Sequence, residues 1–184
     1  MNVIIMAGGR GSRLGYAEKP VVEICGRRMV DGVLRAAAAI GEPVMCISGF
    51  APNVERSYCG GLRCVRGSGD YVSDLRTALE AVGTPTLVLP ADMPFLDHGI
   101  RELRRFVDLA LGSHASVITL NVCRHGHCYQ PGVSIFRMLG GEWEDIHILW
   151  RAAFMDVDDP RDLEEARGYC GTMGEGKPEG STSA

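Results

Sequence analysis

Short uninterrupted apolar runs alternate along this chain with longer stretches whose apolar residues recur every three or four positions. Residues 3–7 (VIIMA) form a continuous apolar run stopped at once by glycine, the pattern of a strand buried on both faces. Similar runs predict strands at 43–48, 62–66, 85–89 and 115–122. Residues 29–40 are alanine-rich and carry Val30, Val33 and Leu34 at helical spacing. Residues 71–82 place Val72, Leu75 and Leu79 on one stripe, and 100–111 repeat the pattern, so helices are predicted at all three.

Strand–helix alternation of this kind implies an α/β fold: a Rossmann-like, three-layer domain with a mostly parallel sheet and helices on both faces. Beyond residue 130 the pattern is less regular. Strands are expected at 132–136 and 154–157, and a closing helix at 160–169, begun by Pro160 near its first turn. From Gly171 the sequence is polar, glycine-rich and aperiodic. Residues 1–170 therefore read as one domain and 171–184 as a disordered tail.

The chain has 184 residues, enough to bury a sizeable core, and 46% hydrophobic with 23% charged residues is ordinary for a globular domain. A net charge of −4 argues against a nucleic-acid binder, yet a few local cations suffice for a small phosphorylated ligand. No apolar run is long enough to span a bilayer or resembles a signal peptide, so a cytoplasmic protein is expected. Seven cysteines, an odd number, suggest reduced and mostly buried thiols rather than a disulfide framework. Nothing in the letters fixes oligomeric state, a homodimer included.

The strongest chemical signal follows the first strand: Ala7-Gly8-Gly9-Arg10-Gly11-Ser12-Arg13-Leu14-Gly15, then Glu18-Lys19-Pro20. Glycines there let backbone amides approach phosphate oxygens, and Arg13 and Lys19 add a fork and a point of positive charge. In an open α/β sheet, ligands bind beyond the carboxyl ends of the strands, where this loop lies. A P-loop would need a glycine-lysine-Ser/Thr run that is absent, and a dinucleotide fingerprint would need glycine where Leu14 stands. A second feature is Asp92, in LPADMPF at the end of an apolar strand; it suits a hard cation, the alternative being a capping or turn aspartate before Pro94. Further on, DVDDPRDL clusters acids where a helix begins. Asp159 fits a helix cap, and the rest could be a solvated helix entrance.

AGGRGSRLG with EKP resembles the signature of the MobA-like NTP transferases, which include molybdenum-cofactor guanylyltransferases and sugar-nucleotide pyrophosphorylases. Together with LPADMPF, GDYVSDL, QPGVSIF and VDDPRDLEEA, it is most similar to the archaeal adenosylcobinamide-phosphate guanylyltransferases, with matches spread from residue 3 to about residue 167. The resemblance implies that Ala7, Gly8, Gly9, Arg10, Gly11 and Ser12 wrap a triphosphate. It puts Lys19 on the reacting α-phosphate and Arg13 on the leaving pyrophosphate. It makes Asp92 and Asp158 ligands of Mg²⁺. Gly69, Tyr71 and Asp74 would lie beside the nucleotide, Ser48 near the base, and Gly132 on the acceptor side. The implied substrates are GTP and a phosphorylated corrinoid. Rival readings are a molybdopterin guanylyl- or cytidylyltransferase, a nucleotide-binding regulatory module without catalysis, and a dinucleotide-dependent oxidoreductase.

The chain departs from the family pattern in two places. Asp70 stands where glycine is expected, and the segment between Asn121 and Gln130 is short. Within that segment, CRHGHC crowds four Cys and His residues into six positions, too tight to surround one tetrahedral zinc. A loop at the cleft edge, with His125 or His127 touching an anionic acceptor, is expected instead. Trp143 and Trp150 are expected to be packing residues.

Overall fold

The computed structural model describes residues 1–9, 12–15 and 18–173. The chain opens with β1 (Asn2–Met6), then a β2–β3 hairpin (Glu23–Ile24, Arg27–Arg28), α1 (Met29–Ile40) and β4 (Glu42–Ile47). It continues through α2 (Pro52–Tyr58), β5 (Arg63–Arg66), α3 (Tyr71–Val82), β6 (Thr86–Pro90) and α4 (Ile100–Gly112). The last third comprises β7 (Val117–Arg124), β8 (His127–Tyr129), β9 (Ser134–Phe136), β10 (Trp143–Leu149), α5 (Pro160–Gly168) and α6 (Cys170–Met173).

Seven strands lie in the order β10-β7-β9-β6-β1-β4-β5, and β8 pairs with β7 off this path. Along the path only β9 runs antiparallel to its neighbours, β6 and β7. The expected α/β architecture is thus present. In β1, Val3 and Ile5 pack into a cluster with Val33 of α1 and Phe106 of α4, while Ile4 packs oppositely with Ala78 and Leu79 of α3. This is the two-faced burial that an unbroken apolar strand implies.

Strand order also makes the cleft. β1 and β6 are parallel neighbours, Met6 opposite Pro90, but the chain leaves β1 toward β4 on one side and β6 toward β7 on the other. Their exits diverge, opening a crevice at their carboxyl ends.

Four expectations are corrected. Residues 154–157 form no strand: Ala152–Phe154 is a 3-10 turn, and Met155 and Val157 fill a small second core with Leu14, Ile24, Phe95 and Leu163. That run is apolar because it is covered, not because it is extended. Gly171–Met173 continue into α6, so the polar tail begins later than its composition suggests; residues 174–184 lie outside the described residues. Trp143 is 61% exposed on the edge strand β10, so it is not a packing residue. Finally, six cysteines are paired: Cys25–Cys170, Cys59–Cys64 and Cys123–Cys128, with Cys46 free and buried. An odd count says nothing about which Cα atoms the fold brings within bonding reach.

Candidate active site

The loop after β1 is fixed from both ends. Ala7 N donates to Cys46 O at 2.8 Å, continuing the ladder past the strand. Next to it the Ser48 hydroxyl donates to Gly8 O at 2.6 Å and accepts from Phe50 N at 3.2 Å. Ser48 therefore spends its side chain holding the loop against β4. A side chain at residue 8 would stand 3.1 Å from Ser48 Cβ, so glycine keeps the backbone close. Arg10, Gly11 and the Ser12 side chain lie outside the described residues.

At the far end Glu18 is buried, its carboxylate accepting from Asn53 N at 2.7 Å and Val54 N at 2.9 Å. These are free amides in the first turn of α2, whose own Ncap residue, Ala51, offers no side-chain oxygen. Glu18 thus caps a helix from a distant loop and fixes the backbone that carries Lys19. Sequence reasoning missed this role, since the partner lies 35 positions away. We predict that Glu18→Ala lowers stability by about 1–3 kcal/mol, the cost of orphaned buried amides, readable as a lower denaturant midpoint.

Lys19 projects its ammonium between two carboxylates, 2.6 Å from Asp92 Oδ2 and 2.6 Å from Asp158 Oδ1. Burial disfavours its charge, but the two acids outweigh burial and raise its pKa above the ordinary lysine value. Burial pushes the Asp92 carboxyl up, opposed by Lys19. Asp92 Oδ1 is buried without a hydrogen-bond partner among the described residues, so one oxygen of this group stands ready for a cation. Arg13 reaches the outer side of the same cluster, 4.0 Å from Asp158 and largely exposed. The two cations and two acids singled out from the sequence therefore meet at one point.

Asp92 is placed by β6 and locked to the last segment by a Val157 N to Asp92 O bond of 3.0 Å. That segment is itself capped. Asp159 accepts from Arg161 N and Asp162 N, while Asp162 accepts from the amides of Asp158 and Asp159, so Asp159 caps α5 as expected. Asp156, assigned no role from the sequence, is pushed up to about 6, chiefly by burial and further by the charges of Asp92 and Asp158.

Beside the cluster a cavity of about 180 Å³ is lined by Gly8, Gly9, Gly69, Tyr71, Asp74 and Asp92, among others. Asp74 is buried and accepts from Gly69 N at 2.9 Å and Ser68 Oγ at 3.0 Å, so its carboxylate organises the glycine turn that borders this cavity. Gly69 has φ of +97°, and a Cβ there would strike the Phe50 ring, so glycine is required. Asp70, the departure from the family pattern, caps α3 through Ser73 N at 2.9 Å. Gly132, with φ of +84°, lies over Pro90 at the end of β6. The CRHGHC segment forms the β7–β8 hairpin, with Cys123 and Cys128 opposite each other in a disulfide that removes both thiolates as metal ligands.

No helix among the described residues is long and apolar enough to cross a membrane. A family model described as the MobA-like NTP transferase domain matches residues 3–140. A 34-residue stretch is 50% identical to adenosylcobinamide-phosphate guanylyltransferase of Methanocaldococcus jannaschii, covering 18% of this chain and 17% of that protein's length. Two solved structures share the fold. Molybdopterin-guanine dinucleotide biosynthesis protein A from Archaeoglobus fulgidus has a TM-score of 0.69 at 18% identity, over 94% of this chain and all of that one. A CMP:2-keto-3-deoxy-manno-octonic acid synthetase complexed with CTP has a TM-score of 0.69 at 16% identity, over 94% and 98%. The match of the family model runs from β1 and its glycine loop through Lys19 and Asp92 and well beyond half of the chain: the protein belongs to the MobA-like NTP transferase family.

Proposed function

We propose that this nucleotidyltransferase moves GMP from GTP to adenosylcobinamide phosphate, giving adenosylcobinamide-GDP and pyrophosphate. The observation that carries the chemistry is the Lys19 ammonium held between Asp92 and Asp158 at the end of a glycine loop. The choice of GTP and of a corrinoid acceptor is supported by the segment shared with the Methanocaldococcus jannaschii guanylyltransferase and by the motifs spread along the chain.

The acceptor's phosphate monoester has a second pKa of about 6 and is already largely ionised at neutral pH, so no general base is needed. The residues then have two tasks, holding the phosphates in line and neutralising charge. Gly8 and Gly9 give backbone amides to the triphosphate, Lys19 meets the α-phosphate, and Arg13, at the open edge, meets the departing pyrophosphate. The unpartnered Asp92 Oδ1, with Asp158 nearby, fits a hard divalent cation, which takes oxygen ligands. Mg²⁺ held there would supply charge neutralisation on the phosphate oxygens.

Pyrophosphate release tests this reading. GTP, CTP, ATP and UTP are each offered with Mg²⁺ and either adenosylcobinamide phosphate or molybdopterin. We predict turnover with GTP and the corrinoid. Turnover only with molybdopterin would overturn the acceptor assignment, and none with any pair in single-turnover conditions would leave a binding module.

A further inference from the structure

A second hollow adjoins the acidic cluster. It measures about 380 Å³, opens between the β7–β8 hairpin and α5, and is bordered by Arg124, His127, Tyr129, Trp150, Asp156 and Glu165. Asp156 ties it to the reacting centre: the next residue, Val157, bonds its amide to Asp92 O at 3.0 Å. Asp162, which also borders this hollow, accepts from Asp158 N at 2.9 Å, so the same wall supports the segment that carries Asp158.

Its walls have a distinct chemistry. The Arg124 guanidinium stacks 4.1 Å over the Trp150 ring and pairs with Glu165 at 3.2 Å, so its charge is already matched. Trp150 packs in turn against Tyr169, and the Tyr129 hydroxyl donates to Phe154 O at 3.1 Å, so the aromatic walls are held in place. The remaining lining acids make the hollow a poor seat for an anion. A ring face with carboxylates and a guanidinium edge instead suits a bulky, non-anionic body carrying amide groups, whose N–H groups meet the acids and whose carbonyls meet Arg124.

We infer that this hollow seats one edge of the acceptor's non-anionic, amide-bearing body, with Trp150 and Arg124 as its platform and the acceptor's single phosphate turned toward Lys19, Asp92 and Asp158. This rests on the proposed function and sharpens it, because it selects against an acceptor whose body is anionic.

Steady-state kinetics with GTP and adenosylcobinamide phosphate test it. In Trp150→Ala the acceptor KM rises about tenfold while kcat and the GTP KM stay within about twofold. Trp143→Ala, on the exposed edge strand, changes none of the three. Arg124→Gln, at a more exposed position, moves the acceptor KM in the same direction should Trp150→Ala melt early. Glu165→Gln, which removes a lining carboxylate, also raises the acceptor KM; a marked fall would show that the body seated there is anionic and overturn the inference. If the wild type turns over adenosylcobinamide phosphate and both platform variants keep their acceptor KM, the subsite is wrong and the proposed function stands. If the wild type uses molybdopterin instead, the function and the subsite inference fall together.

Discussion

Lys19→Ala loses turnover by at least roughly 10²–10³-fold while its far-ultraviolet circular dichroism stays that of the wild type. Lys19 is the one described side chain that touches both carboxylates of the cluster, so its removal deletes the ammonium that would meet charge on the α-phosphate. The fold survives because Lys19 belongs to none of the hydrophobic clusters. Asp92, left without its partner, can take up a proton, since burial already raises its pKa. Lys19→Arg separates charge from shape: it keeps the positive charge but replaces a point donor with a planar fork, so partial recovery is expected. A Lys19→Ala enzyme of near-normal rate would remove this residue from the chemistry.

The largest stability effect is expected from the Cys25–Cys170 bridge. It joins the turn of the β2–β3 hairpin to the start of α6, across a sequence separation of 145. By chain-entropy arguments, a loop of that length contributes about 4–5 kcal/mol by restricting the unfolded chain, so Cys25→Ser with Cys170→Ser should lower Tm by roughly 10–15 °C. The other two bridges span only five positions each and should matter less, because the effect grows with the logarithm of loop length. The long bridge also closes over the small core of Leu14, Ile24, Phe95 and Met155, which supports the segment bearing Asp158. Thermal melts with and without a dithiol reductant read the effect directly, and unchanged melting would show the bridge to be dispensable.

What could be read from the letters was whatever chain neighbours decide. The apolar run of β1 stopped by glycine, the three-to-four spacing of α1 and α3, and the strand-end position of Asp92 are all local, and the structure places them as read. Strand β10 escaped notice because it lies at the sheet edge, where only Ile146 and Ile148 pack inward and Trp143 and Leu149 stay exposed. Helix α2 carries a single buried apolar residue, Val54, and owes its first turn to Glu18 in another loop. The disulfides, the capping role of Glu18, and the place of Asp156 in the wall of a hollow depend on partners far along the chain, which spacing cannot reveal.

In the proposed function the cluster of Lys19, Asp92 and Asp158 is where the triphosphate and its metal bind. A crystal structure with a non-hydrolysable GTP analogue and Mg²⁺ tests it most directly. Phosphates are expected over Gly8 and Gly9, with Lys19 on the α-phosphate and the ion on Asp92. A nucleotide seated instead in the groove of about 470 Å³ that Arg101, Arg105 and Arg151 line beside β10, with Lys19 still clasped by its two acids, would contradict it.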